Sequence, residues 1–447
     1  MIDHRIANKT ICSNIRYRAS TKLQMNSNPR DSKFRTCSGH LSLGIWNLFK
    51  IWDLGFGIWS RLFILSLFLC IALPAPSFSL PTLKVGALIP HSGRWGDSGK
   101  ECARGMLDAG KWLNQRDGAA GRKLEIILID DMSQAAEFLA AYRKLNEADH
   151  VLMLYVYSIE TALALVPQFH FDRIPAFVSS LPSQFSNPSK YPYIFSINPT
   201  PLDLGKIAMS FISDKSGLQV KRPKVIFVGS SNRLGSYFMD EAKEYAKSLG
   251  MDIGPDVWLS DSPQPDDRKG KESPSPIAAI KTYNPDFAYL TLTSKEASLF
   301  LQEAKKTDLK TKWICSMRAF DENLAPYNGV FGVQPISPFG EDVPGMAFIK
   351  EAHQKWHPYD SHTLSYVEGW ATMQVMSEAL RRSLSGQGFS REKVKLALEG
   401  FKDYVTGGLT PPLTITPKDH RPSVESRVFM IKDGKLSRHT GFISIGR

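Results

Sequence analysis

Along this chain, short apolar runs alternate with longer stretches whose apolar positions recur every three or four residues. Runs at Leu83–Ile89, Leu124–Asp130, Val151–Val156 and Ala176–Ser179 predict strands. The intervening segments Gly99–Arg116, Ser133–Glu147 and Ile159–Phe169 predict helices. After a loop rich in proline and serine (Leu181–Pro201) the rhythm restarts. Helices are expected at Leu202–Ser213, Gly235–Leu249, Ser275–Thr282 and Ser294–Thr307. Strands are expected at Lys224–Gly229, Asp256–Leu259, Phe287–Leu292 and Trp313–Cys315. Strands alternating with helices of ten to fifteen residues imply parallel sheets covered on both faces. Two such series, parted near Pro199–Pro201, imply two α/β lobes.

The tail reads differently. Leu364–Ser383 and Arg391–Gly400 have helical periodicity, whereas Leu413–Thr416 and Val428–Ile431, with a turn at Asp433-Gly434, read as antiparallel strands. Ser262–Pro276 is polar and proline-rich and reads as a surface insertion. The first strand stops at Pro90 and gives way to a turn rich in glycine and hydroxyl groups, Ser92 to Ser98, before its helix. Such junctions gather free backbone N–H groups and the positive helix end on one spot, where an anionic or zwitterionic ligand can sit.

Charge changes the picture once it is mapped. The net charge is +11, but residues 1–79 hold ten Lys/Arg and three Asp/Glu, leaving +4 on residues 80–447. That value excludes nucleic acid as an expected partner. Arg61 precedes a twelve-residue run, Leu62–Leu73, that is apolar except for Ser66. Pro74 and Pro76 follow, then Ser77 and Ser79. This is the layout of a secretory signal peptide over 61–79, cleaved near Ser79, so a periplasmic location is expected. Residues 1–60 carry Ile-Trp pairs at Ile45, Ile51 and Ile58, and read as an upstream start on repetitive sequence or as a genuine leader. Beyond the leader, Cys102 and Cys315 are the remaining cysteines, expected as buried thiols rather than a disulfide framework.

Several motifs lead nowhere catalytic. Adjacent strand-end residues point apart, so Asp130-Asp131 reads as a loop start and helix cap rather than paired catalytic acids. His353 and His357 share the i, i+4 spacing of a helix face, but no third ligand is spaced for a metal and Pro358 ends the helix. Neither G-x-G-x-x-G, a P-loop nor G-x-S-x-G is present, so no nucleotide site, cofactor or nucleophile is expected and the chain is not read as an enzyme. On the tail helix, Tyr366 and Trp370 read as core, with Tyr366 in reach of a cleft.

Taken in order, these features resemble a known family. Pro90, Ser92, Gly93 and Gly96 at the first junction are followed by Gly121-Arg122-Lys123-Leu124 and Asp130-Asp131. Next come Ile174-Pro175, Pro199-Thr200-Pro201-Leu202-Asp203 and Asn284-Pro285-Asp286. Gly407-Gly408-Leu409, Pro411-Pro412-Leu413-Thr414 and Pro417-Lys418-Asp419-His420-Arg421 close the series. Over residues 82–436 this order resembles the leucine/isoleucine/valine-binding proteins, extracytoplasmic solute-binding components of ABC importers with the type I periplasmic-binding-protein fold.

The resemblance implies two lobes joined by three hinge crossovers, with 80–200 and 338–410 in the first and 201–337 and 411–447 in the second. It also implies a monomer that captures a small carboxylated solute between the lobes and hands it to an ABC permease, or, alternatively, a periplasmic sensor feeding a receptor or regulator. Carried over by position, Ser92 and Trp95 form the first-lobe wall, with Trp95 packing on the ligand. Tyr157, Ser158, Ser180 and Ser183 supply groups after the third and fourth strands, Ser158 and Ser183 anchoring a carboxylate. Arg318 and Asp321 close from the second lobe. Where amino-acid binders place an acid against the ligand ammonium, this chain has Met317, and Leu234-Gly235 stands where they place a tyrosine before the glycine. The ligand is then an amino acid whose ammonium meets another group such as Asp321, or an amine-free aromatic or aliphatic carboxylate held by Arg318.

Overall fold

The computed structural model describes residues 80–447 apart from 133, 216–221, 231–232, 260–274 and 385–387. The expected leader and export segment lie outside these residues, as does almost all of the 262–276 insertion.

The first sheet contains β1 (Leu83–Leu88), β2 (Leu124–Ile129), β3 (Met153–Val156), β4 (Ala176–Val178) and β5 (Ile194–Phe195). All are parallel, in the order β2-β1-β3-β4-β5. Its helices are α1 (Gly96–Asn114), α2 (Ala135–Arg143) and α3 (Ile159–Phe171). The chain then enters α4 (Pro201–Lys215) and the second unit. This comprises β6 (Lys224–Ser230), α5 (Arg233–Ser248), β7 (Asp252–Ile253), β8 (Val257–Leu259), α6 (Pro276–Tyr283), β9 (Phe287–Thr291), α7 (Ser294–Ala304), β10 (Lys312–Cys315) and β11 (Phe331–Gln334). Helices α8 (Met346–Trp356), α9 (Leu364–Ser383) and α10 (Arg391–Glu399) return to the first sheet's side, with α9 packed along α1. The strands β12 (Glu425–Lys432), β13 (Lys435–Arg438) and β14 (Ile443–Ser444) complete the second sheet. Its order is β13-β12-β11-β10-β9-β6-β7, with β8 beside β6 and β14 beside β12. The final three strands pair antiparallel and the rest parallel.

Parallel strands covered by helices on both faces are apolar throughout, and β3 and β4 are buried at every position. The three passages between the sheets are tied to one another. Arg427 donates to the Pro335 carbonyl and Ser337 Oγ (3.2 and 3.0 Å), and Ser337 N donates to the Leu409 carbonyl (2.9 Å). At the first passage Arg421 reaches Asp203, whose own Oδ2 accepts from Thr200 Oγ1 (2.7 Å). Cys102 and Cys315 are buried free thiols.

One expectation is corrected. Leu413–Thr416 is not a strand: Leu413 bridges Tyr404 and Thr416 bridges Asp419, each in isolation. Pro411, Pro412 and Pro417 flank the segment and withhold the N–H donors a ladder needs.

The α1–α9 pair is packed closely enough to require glycine. A Cβ on Gly105 would overlap the Tyr366 carbonyl, and one on Gly369 the Cys102 carbonyl. Because backbone rather than a flexible side chain meets the added methyl, Gly105→Ala should destabilise the fold by about 1–3 kcal/mol. Urea unfolding checks this, and a loss below about 0.5 kcal/mol would contradict the packing.

Candidate functional site

The C-terminal ends of parallel strands from both sheets face one cavity of about 210 Å³, the place where open α/β sheets bind ligands. From the first sheet come Trp95, Asp97, Ser98 and Glu101 at the start of α1, with Tyr157 after β3. From the second come Thr293, Ser294 and Lys295 after β9, and Met317, Arg318, Phe320, Asp321 and Asn323 after β10. Gln334 and Ile336 at the end of β11, and Thr363 to Ser365 with Glu368 at the start of α9, complete the wall.

Local hydrogen bonds hold these groups in place. Thr293 and Glu296 form a reciprocal capping box that starts α7 at the cavity edge. Gln334 Nε2 donates to the carbonyls of Met317 and Phe320 (both 3.2 Å), fixing the turn that carries Arg318. Asp321 Oδ2 accepts from Ser294 Oγ (2.5 Å) and Oδ1 from Asn323 N (2.8 Å). Burial raises the Asp321 carboxyl above its ordinary value, and these neutral donors oppose the rise.

The floor is an ion pair between the two sheets' halves. Arg318 Nη1 and Nη2 donate to Glu368 Oε2 and Oε1, both at 3.0 Å, and Nη2 also donates to the Ser179 carbonyl (3.1 Å). Asn198 Nδ2 donates to the same Glu368 Oε1 and to the Ser179 carbonyl, each at 2.9 Å. Glu368 is nearly sealed from solvent, its side chain 3% exposed against 20% for Arg318. Burial works against the guanidinium charge, but Glu368 outweighs it and raises the Arg318 pKa. The guanidinium also lies over the Tyr157 ring (5.2 Å). Trp95 meets that ring edge-on at 6.4 Å, and burial raises the Tyr157 phenol to about 12. At the mouth, exposed Lys295 and Asp97 face each other at 3.6 Å.

Of the eight candidates from the sequence, Trp95, Tyr157, Arg318 and Asp321 line this cavity, and the four serines are not among its lining residues. Ser92 is exposed at the start of the turn Gly93–Trp95. Ser158 caps α3, accepting from Thr161 N (3.2 Å) and donating to Glu160 (3.0 Å). Ser180 faces a small apolar recess with Ile159, Leu163 and Phe185, and Ser183 opens the turn Ser183–Phe185. Tyr366 turns away, its hydroxyl donating to Asp108 (2.9 Å). The side chains at Leu234-Gly235 lie outside the described ones.

Sequence reasoning missed Thr293, Ser294, Lys295, Gln334 and Ser365, and it missed the helix acids Glu101 and Glu368. The signal for the two acids was a lone carboxylate on the apolar stripe of a helix. Asp130 does serve its loop, accepting from His91 N and Met132 N (3.0 and 2.9 Å). His357 pairs with Asp108 (3.0 Å), and His353 packs on Phe339. Among the described residues no three His, Cys, Asp or Glu are grouped to hold a metal.

With this geometry established, known proteins can be set beside it. The family model of periplasmic binding proteins matches residues 82–435. A Leu/Ile/Val-binding protein homologue of Brucella suis is 23% identical over 346 residues, 71% of this chain and 80% of the relative. Among solved structures, a fatty acid ABC transporter substrate-binding protein from Thermomonospora curvata superposes with a TM-score of 0.70. It is 20% identical, and the match covers 82% of this chain and 94% of that one. A branched-chain amino acid ABC transporter protein from Thermus thermophilus with bound valine gives 0.70 at 19% identity, covering 81% and 96%. A solute-binding protein of R. palustris in complex with benzoate gives 0.65 at 18%, covering 80% and 95%. A two-sheet α/β body with a cavity at its strand ends and a family match over most of the chain lead to one conclusion: the chain belongs to the periplasmic binding protein family.

Proposed function

We propose that this protein captures a small zwitterionic solute, a branched-chain or other amino acid, in the cavity between its two sheets and delivers it, outside the cytoplasm, to an ABC permease. The observation that carries this reading is the charge of the cavity. Four carboxylates line it (Asp97, Glu101, Asp321 and Glu368) against two cations, Lys295 and Arg318, and the Arg318 fork is already engaged by Glu368. Asp321 is held by the neutral Ser294 and Asn323, so its charge is available to an ammonium group. An amine-free carboxylate entering here meets an excess of like charge, which is costly away from water.

Trp95, Tyr157 and Phe320 supply an apolar wall for a side chain, and Ser98, Thr293 and Ser365 offer hydroxyls to a ligand carboxylate. Because the wall is drawn from both sheets, a bound solute favours the closed arrangement, giving a hinge-closure mechanism. The relatives named for Leu/Ile/Val and for valine support the amino-acid reading, while those named for fatty acid and benzoate mark the competing class.

Thermal unfolding with added solutes separates the two. An amino acid at a hundred times its dissociation constant should add about 2.7 kcal/mol of stability and raise the midpoint by a few degrees. Leucine, valine or another amino acid is expected to do so, while benzoate and hexanoate leave the midpoint unchanged. A shift with benzoate and none with any amino acid would overturn the reading.

A further inference from the structure

We propose that Glu368 is a built-in carboxylate that occupies the anion site of Arg318, and so sets which charge class of solute the cavity admits. The inference rests on the function reading in one respect: it takes this cavity as the solute site.

Arg318 presents the planar fork that best recognises a carboxylate, and it lines the cavity. Glu368 fills that fork from the opposite half, one oxygen on each terminal nitrogen at 3.0 Å. The Ser179 carbonyl takes a further guanidinium hydrogen, and Asn198 fixes the Glu368 oxygen that faces it. Both Glu368 oxygens and the Asn198 Nδ2 are hydrogen-bonded within the protein, while the Asn198 Oδ1 is buried without a partner. A solute carboxylate could take this Nη1/Nη2 fork only by displacing Glu368, which would then be a buried carboxylate without its cation. Removing the Glu368 carboxylate reverses the balance: a partly buried guanidinium loses its paired anion beside a cavity of about 210 Å³. Glu368 thus acts through Arg318 as a specificity-determining positioning residue, and its loss converts the cavity floor into a carboxylate receptor.

The test is chemical rescue. Purified Glu368→Ala protein is titrated with sodium acetate or benzoate against matched sodium chloride, with the thermal midpoint as readout. A saturable rise specific to the carboxylate is expected, with affinity at least tenfold above that of the unaltered protein. The Arg318→Met/Glu368→Ala double variant, lacking the fork, should respond as it does to chloride. An equal carboxylate response in the single and double variants, or no response in the single one, would overturn the proposal. If Glu368→Ala does not fold, Glu368→Ser also removes the carboxylate and vacates the fork, and is judged by the same criterion. Failure of every amino acid to bind the unaltered protein would sink the function reading instead, and leave the acetate comparison standing.

Discussion

Replacing Arg318 with methionine should cost about 3–5 kcal/mol of folding stability, because it leaves a buried carboxylate without its cation. Glu368, 3% exposed at its side chain, would keep the Asn198 amide as a donor and lose both guanidinium bonds. A water shell cannot replace them at that burial. The double variant Arg318→Met/Glu368→Leu should recover most of the loss and come within about 1–2 kcal/mol of the unaltered protein, since apolar groups of similar volume substitute for a buried pair at little net cost. Urea unfolding of the parent, both single variants and the double variant yields the coupling directly. A cost below about 1 kcal/mol for Arg318→Met would mean that the pair is solvated in solution, and would remove the basis for treating the floor as electrostatically closed.

The reach of the sequence can be judged from such residues. The β–α alternation was legible because β1, β3, β6 and β9 are apolar runs between helical periods, and burial on both faces demands that. Two-residue strands such as β5 and β7 leave no periodic trace, and β11 is four residues with a glycine inside it. Leu413–Thr416 misled because apolar and hydroxyl residues alternate there, while the flanking prolines decide the backbone pairing. Trp95, Tyr157, Arg318 and Asp321 were carried over by position from the family resemblance, and they line the cavity because they follow strands, whose ends are where this architecture opens. The serines sit at the same kind of junction, yet a junction hydroxyl has a competing local task, as Ser158 shows by capping Thr161 N. Glu368 was hidden for a different reason. It lies on a helix whose neighbours are buried, and the cation that explains it is fifty residues away in sequence. Spacing within one element carries no information about that pairing.

Glu322→Gln should stabilise the protein at neutral pH, by about 2–3 kcal/mol at pH 7. Glu322 follows β10 and reaches across to the start of α9, where its Oε1 accepts the Leu364 N–H at 3.0 Å. Its Oε2 is sealed from solvent with no hydrogen-bond partner. Burial, and then the neighbouring Asp321 charge, raise this carboxyl from an ordinary 4.5 to about 8. Between those values the folded protein holds a proton that the unfolded chain has released, so stability falls as pH rises from about 4.5 and levels off near 8. At about 1.4 kcal/mol per pH unit the full penalty at pH 7 is roughly 3 kcal/mol, and the residue's partial exposure lowers it somewhat. Glutamine carries no charge, keeps an oxygen for Leu364 N–H and does not titrate, so the variant should lack this slope. The buried His420 and the partly exposed His353, both lowered chiefly by desolvation, impose the opposite slope below about 6.5 in both proteins. The informative quantity is therefore the difference between variant and parent. It should be near zero at pH 4, where Glu322 is protonated whether folded or not, and grow steadily to pH 8. A difference that stays flat over that range would show that the Glu322 carboxyl is solvated, and that the junction between the β10 turn and α9 is open to water.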